Sequence, residues 1–379
     1  MGNIPEHPAI TNFIKKQWNI SMFKFDELRQ IHLEITNNCQ ARCPMCSRNN
    51  HGGIENPLIK IKNWTLEQFQ NTINQEVLDQ VEALYFCGNF GDPLLNNNLI
   101  GMVDYTVNHK PDIEIRIHTN GSLRNVSWWE QLARVLPKNH VVVFAIDGLS
   151  DTHHLYRIGT DYNQILRNAT AFVQAGGIAE WAFIRFKHNA HQVETAKKIA
   201  AESGFQRFVM KDSSRFVTDN KFPVLSYQGV VSHFLEPATE SKIVFIDKTV
   251  LDNYKTIVES SSIDCYAQNN KEIYIDAYGH LFPCCWLAST PYNYTEPGST
   301  IAGIRQVISE QYNSMIEDFG GINKIDTKQH SIKDIIDSTA YQTVWDKYWS
   351  NPKMITCARA CGTNTLSKPK DQFAHRENL

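Results

Sequence analysis

The chain has 379 residues, of which 42% are hydrophobic and 20% charged, and a formal net charge of -3. This composition belongs to soluble globular proteins, and the balanced charge gives no global reason to expect nucleic acid or an anionic membrane as a partner. No apolar run reaches the roughly 18 residues needed to cross a bilayer, and the N-terminus lacks a signal-peptide core, so a cytoplasmic protein is expected.

In chain order, residues 1–29 read as an N-terminal extension. The β-branched and apolar runs Ile31–Ile35, Val81–Phe86, Ile113–Ile117, Val141–Ile146, Trp181–Phe186 and Phe205–Met210 predict strands. Between them Thr65–Val77, Asn97–Asn108, Ser127–Leu136, Tyr162–Ala175 and Gln192–Ser203 predict helices, the first opening on the capping residue Thr65. Strand and helix alternating at this length imply an α/β unit over 30–211 with parallel strands and right-handed crossovers, either a barrel or an open doubly wound sheet. In both, chemistry is placed at the C-terminal ends of the strands.

The alternation stops after Lys211, and 212–262 read as a linker with one helix around Tyr227–Leu235. Residues 263–365 read as a second module: a hairpin at Lys271–Pro283 turning at Tyr278-Gly279, then helices at Ile301–Glu317 and Ile332–Tyr348 with the loop Gly320–Gln329 between them. Residues 366–379 read as a solvated tail.

Nine cysteines cannot all pair, and a reducing compartment disfavours disulfides. Three of them stand together in Cys39-Gln-Ala-Arg-Cys43-Pro-Met-Cys46, directly after the first strand. A [4Fe–4S] cubane normally takes four thiolates, so three leave one iron open, as a catalytic metal requires. A zinc site, for which His51 could supply the fourth ligand, and three incidental thiols are the alternatives. The C-x3-C-x2-C spacing, with Met45 before its last cysteine, resembles the radical S-adenosylmethionine (radical SAM) superfamily. The resemblance implies a partial (β/α)6 TIM-like barrel whose open iron chelates the amino and carboxylate groups of S-adenosylmethionine and delivers the electron that yields a 5′-deoxyadenosyl radical.

Other motifs extend it. Gly88-Asn-Phe-Gly91-Asp92-Pro93 resembles the family's Gly-Gly-Glu-Pro segment, which binds the methionine amino group, with Asp92 in place of Glu; taken alone it reads equally as a turn. His118-Thr119-Asn120-Gly121 resembles the Thr-Asn-Gly turn, and Ile146-Asp147-Gly148 the Asp-Gly motif. Arg157, ten residues past Asp147, matches an arginine that pairs with the methionine carboxylate, a role suited to a guanidinium fork; a surface ion pair is the alternative. Ala145 stands where many relatives carry a cofactor-binding serine, and Arg185 at the end of the fifth strand is a further candidate for the cofactor.

The second cysteine group begins with C-x13-G-x4-C, Cys265 to Gly279 to Cys284, which resembles the hairpin of SPASM and twitch extensions. The resemblance implies an auxiliary [4Fe–4S] cluster held by Cys265, Cys284, Cys357 and Cys361 in a twitch-type module; a zinc ribbon is the alternative. The gap of three between Cys357 and Cys361 departs from the usual two, and Cys285 is expected to be a bystander. Cys87 reads as a buried thiol or, alternatively, as a hydrogen donor, and His188 and His191 as part of a helix-capping loop.

These features predict a radical SAM oxidoreductase that abstracts a hydrogen atom from a polar small molecule, such as a sugar or aminocyclitol alcohol, with the auxiliary cluster accepting an electron. Modification of a peptide or protein is the second reading and a non-catalytic iron–sulfur carrier the third. Flavodoxin or ferredoxin is the expected electron donor.

Overall fold

The computed structural model describes residues 22–213, 215–216, 220–239, 254–292, 302–350, 353–363 and 376–379. The extension as far as residue 21, residues 240–253 of the linker and residues 366–375 of the tail lie outside the described residues.

All six predicted barrel strands are present: β1 Gln30–Leu33, β2 Ala83–Phe86, β3 Glu114–Thr119, β4 His140–Ala145, β5 Ala179–Arg185 and β6 Arg207–Asp212. The helices between them are α1 Leu66–Thr72, α2 Gln75–Gln80, α3 Leu99–His109, α4 Val126–Val135, α5 His153–Tyr156, α6 Tyr162–Gln174 and α7 Val193–Glu202. The predicted helix at 65–77 is two helices. Thr65 caps the first through Gln68 N (3.0 Å), and Asn74 then caps a second through Val77 N (3.1 Å), because an Asx cap competes with helix continuation.

Strands β1 to β6 pair in sequence order and all in parallel. Their alternation separates two faces. Ile31, Leu33, Leu84, Phe86, Ile115, Ile117, Phe144, Trp181 and Phe208 pack into the main core together with helix residues such as Trp129 and Phe172. The opposite face carries Gln30 and, paired strand to strand in one register, His32, Tyr85 and Arg116. A parallel sheet covered on both faces would be apolar on both; this face is instead polar.

The second module continues the same sheet. Its hairpin, β9 Glu272–Ile275 and β10 Leu281–Phe282, turns through Gly279 at φ 92°, and β9 pairs in parallel with β1, placing Tyr274 opposite His32. With β11 Arg376–Asn378 at its far edge, the described sheet therefore runs β10-β9-β1-β2-β3-β4-β5-β6-β11. The module's helices are α8 Tyr254–Ser260, α9 Tyr266–Asn270, α10 Cys285–Ala288, α11 Ala302–Asp318, α12 Ile332–Asp337, α13 Thr339–Ser350 and α14 Ile355–Cys361. Ser331 caps α12 through Asp334 N at 3.0 Å.

Two expectations are corrected. The linker helix at Tyr227–Leu235 is instead an antiparallel hairpin, β7 Phe222–Leu225 and β8 Val231–Leu235, closed by Ser226 N donating to Val230 O at 2.9 Å. Adjacent Val230 and Val231 favour extended backbone, and the hairpin docks on the cysteine loop, where Leu225 N donates to His51 O at 2.8 Å. The end of the tail, exposed at Asn378 and Leu379, is a strand instead of irregular chain: β11 Arg376–Asn378 pairs antiparallel with β6 and covers an edge that would otherwise stay open.

Candidate active site

The cysteine loop leaves the C-terminal end of β1 and folds back as a tight turn, Cys46 N donating to Cys43 O at 2.9 Å. Cys43 and Met45 pack with Tyr156, Phe186, Phe216, Val224 and Leu235 in a second core formed by the loop, α5 and the β7–β8 hairpin. Burial, then the nearby charges of Asp92, Cys43 and Cys46, push the Cys39 thiol well above the ordinary thiol range. Three thiolates brought this close repel one another and call for cationic metal beside them, and this donor set fits one face of a cubane. Two N–H donors already reach the sulfurs: Arg157 Nη1 lies 3.6 Å from Cys43 Sγ and Asn120 Nδ2 lies 3.9 Å from Cys39 Sγ. His51, the candidate zinc ligand, is engaged elsewhere. Its Nδ1 is 3.0 Å from Pro223 O and its ring stacks on Phe222.

The motif residues converge on this loop from four strand ends. Asp92 is buried and accepts from Leu94 N (3.0 Å), Thr119 Oγ1 (2.9 Å), Asn120 N (2.7 Å) and Asn120 Nδ2 (2.6 Å). Its carboxylate therefore organises the Thr-Asn-Gly turn, and Pro93 begins the buried 3-10 turn beside it. Asn120 Oδ1 in turn accepts from Gln40 Nε2 of the cysteine loop at 2.8 Å. A Cβ on Gly91 would stand 1.7 Å from Thr36 O, because the β2 loop crosses the chain that leads to Cys39. Gly91→Ala should therefore displace the loop and cost at least about 3 kcal/mol; urea unfolding checks this, and a change below about 1 kcal/mol would show that the two segments can separate freely.

Asp147, fully buried, accepts from Arg157 Nε at 2.5 Å and from Ile184 N. Arg157 is thus anchored between a carboxylate and a cysteine sulfur, not on the surface. Arg185 forks onto Asp212 at 2.9 and 3.1 Å across the ends of β5 and β6. Met45 Sδ accepts from Ser213 Oγ at 3.2 Å, and its carbonyl accepts from Arg215. His188 stacks on Phe186, and Asn189 Oδ1 accepts from Phe186 N at 2.7 Å, so this segment is a cap on the strand end.

The second cysteine group also comes together. Cys284 lies within electrostatic reach of Cys357 and Cys265, Cys265 of Cys361, and Cys357 of both Cys265 and Cys361. The irregular gap has a simple cause: Cys357 and Cys361 both lie on α14, where an i, i+4 spacing puts both thiols on one face. Cys285 instead lies within electrostatic reach of Glu272, Cys87 and Glu34 on the barrel interior. Among the described residues no three His, Cys, Asp or Glu side chains converge as ligands of a single metal ion. A cubane, each iron taking its own thiolate, needs its sulfurs farther apart than a lone tetrahedral ion does.

Four interior residues escaped the sequence reading. Burial pushes Glu34, on the concave side just past β1, up to about 7. Burial holds His32 down to about 4, so it is neutral; its Nε2–H reaches Cys87 O at 2.8 Å. Tyr274 of β9 lies edge-on to His32, with ring centroids 4.7 Å apart. Lys211, at the end of β6, is within electrostatic reach of Asp147, Arg157, Arg215 and Cys87, and burial lowers its amine from the ordinary lysine range. The signal was available in Gln30-Ile31-His32-Leu33-Glu34, polar at every second position on a strand that leads to the cysteines. Burial also pushes Cys87, at the end of β2, up to about 11.

No helix among the described residues is long and apolar enough to cross a membrane. None of the curated proteins matches the chain. Among solved structures, SuiB of Streptococcus suis bound to S-adenosylmethionine is 16% identical, with 81% of this chain and 72% of that chain covered and a TM-score of 0.48. Native anSMEcpe with bound AdoMet and Kp18Cys peptide is 14% identical over 91% of this chain and 92% of that chain, TM-score 0.49. BtrN in complex with AdoMet and 2-DOIA is 13% identical over 92% and 98%, TM-score 0.42. The family model of the Radical SAM superfamily matches residues 33–191, from the last residue of β1 past β5, and so takes in the cysteine loop and every motif residue from Cys39 to Arg185. Over that span, which runs from the end of β1 through β5 and includes the three-cysteine loop, the chain matches the Radical SAM superfamily.

Proposed function

We propose that this radical SAM enzyme is a twitch-type oxidoreductase that dehydrogenates a polar small molecule, a sugar or aminocyclitol alcohol. The observation that carries the reading is the pairing of two cysteine groups on one sheet: a loop of three thiols at the end of β1, and four thiols gathered beside the hairpin that pairs with β1. When bound, the two clusters and S-adenosylmethionine would supply an electron, a hydrogen-abstracting carbon radical and a sink for the electron that an oxidised substrate gives up.

The chain's own residues do the rest. Cys39, Cys43 and Cys46 would hold the first cluster and leave one iron for the cofactor, while Asn120 and Arg157 direct N–H groups at its thiolates. Met45 and the loop of Gly91, Asp92 and Pro93, with Asp147, Arg157 and Arg185, would shape the cofactor site. Cys265, Cys284, Cys357 and Cys361 would close the auxiliary cluster. Tyr85 and Arg116, half-buried and in register with His32, would offer hydroxyl and guanidinium groups that suit the oxygens of a polyol. Lys211 Nζ, its amine lowered by burial, would accept the proton that the alcohol loses on oxidation. An acidic one-electron carrier such as flavodoxin or ferredoxin would reduce the first cluster, and a cytoplasmic location follows from the thiol chemistry.

Anaerobic protein given dithionite and S-adenosylmethionine should release 5′-deoxyadenosine, and a panel of sugars and aminocyclitols should contain one that loses two hydrogens. Lys211→Met should keep cofactor cleavage and lose substrate oxidation by about a hundredfold or more. Crosslinked or epimerised product from a peptide panel, with no alcohol consumed, would replace this reading by peptide modification.

A further inference from the structure

The loop of residues 88–93 is held from the C-terminal module as well as from the barrel. Glu34, 2% exposed, uses one carboxylate oxygen for the N–H groups of Phe90 (2.8 Å) and Gly91 (3.0 Å) and the other for the hydroxyl of Tyr274 (2.7 Å). Tyr274 is fully buried on β9, in register with His32 of β1. Two neighbours of the same loop reach the module directly. Asn89 Nδ2 donates to Cys285 O at 2.8 Å, next to Cys284, and the Phe90 ring meets the Tyr292 ring edge-on at 5.3 Å.

We infer that Glu34 and Tyr274 are a positioning pair through which the C-terminal hairpin sets the S-adenosylmethionine-binding loop. The inference rests on the reading of residues 88–93 as that loop. Its physical basis is the cost of leaving a buried carboxylate short of donors. Glu34 is held by two backbone N–H groups and one phenol, and Asp276 nearby makes its charge harder to keep. A loop that moved away would strip two of those three donors, and a hairpin that moved away would strip the third. The donors therefore hold each other in place across 240 residues of sequence. The barrel would then bind cofactor fully only when the module is docked, which explains why the module continues the sheet instead of hanging from a linker.

The test uses the full chain, anaerobically reconstituted, at pH 8, with S-adenosylmethionine affinity read from the cofactor-induced change in the EPR signal of the reduced N-terminal cluster. Tyr274→Phe should weaken affinity about five- to tenfold and Glu34→Ala by more than about tenfold, both with wild-type iron content. Glu34→Gln should stay within about twofold of wild type, because its amide oxygen keeps both backbone N–H groups and its NH2 can donate to the Tyr274 oxygen. A role confined to stability would lower the melting temperature of Tyr274→Phe but leave the affinity of the loaded protein unchanged, and that result overturns the inference. So does Glu34→Gln behaving like Glu34→Ala, which would assign the effect to charge. If Glu34→Ala loads no iron, Tyr274→Phe decides the matter alone. A wild-type cluster signal indifferent to the cofactor would instead remove the reading of the loop on which the inference rests.

Discussion

Replacing Cys39, Cys43 and Cys46 together by alanine should halve the iron of the anaerobically reconstituted chain, from about eight atoms to about four, and abolish release of 5′-deoxyadenosine. Half the iron should persist because the second thiol group is built elsewhere: Cys265 before α9, Cys284 at the start of α10, and Cys357 and Cys361 on α14. Activity should vanish because, in the proposed site, only the first loop leaves an iron with a vacant position. Removing the loop's sulfurs should not unfold the barrel, whose core is the helix-covered face of the sheet. Iron counts and Mössbauer spectra of wild type and triple variant check this. A triple variant that keeps all its iron, or a wild type that carries zinc, would falsify the assignment of the first loop to an open cluster.

The second large effect is expected at Asp147. Asp147→Ala would leave the Arg157 guanidinium buried with no carboxylate, facing Cys43 Sγ at 3.6 Å and the Tyr156 ring at 5.3 Å, and would also strip Ile184 N of its acceptor. Breaking one side of a buried pair costs about 3–5 kcal/mol, since the remaining charge is neither hydrated nor paired. The surface pair Arg134–Glu130 gives the contrast. Its side chains are 67% and 38% exposed, so Glu130→Gln should change stability by less than about 0.5 kcal/mol. Urea unfolding of the two variants, followed by tryptophan fluorescence, measures the difference. Equal midpoints would mean that Arg157 finds another partner once Asp147 is gone. The same substitution bears on function, because Arg157 loses the anchor that aims it at the cysteine loop.

Features set by neighbouring residues were legible without coordinates. Three thiols within eight residues are close whatever the fold, the period-two runs of Ile, Val and Phe form the six strands, and the glycine at 279 turns the hairpin because its φ of 92° suits few other residues. The linker misled because Tyr227–Leu235 has no helical or strand period of its own; its conformation follows from docking on the cysteine loop through Leu225 and His51. The end of the tail misled for a related reason, since the open edge of β6 recruits Arg376–Asn378 by backbone hydrogen bonds that any polar sequence can make.

By itself, then, the sequence determined the spacing of the two cysteine groups and the positions of the six strands along the chain, both of which are written in spacing and periodicity. Only the tertiary structure decided that β9 pairs with β1, that Cys357 and Cys361 share a helix face with Cys265 and Cys284 close by, and that Glu34 joins the β2 loop to Tyr274. These contacts join segments far apart in the chain. Such pairings are selected by register and by the cost of burying unsatisfied polar groups, two quantities that exist only once the chain has closed on itself.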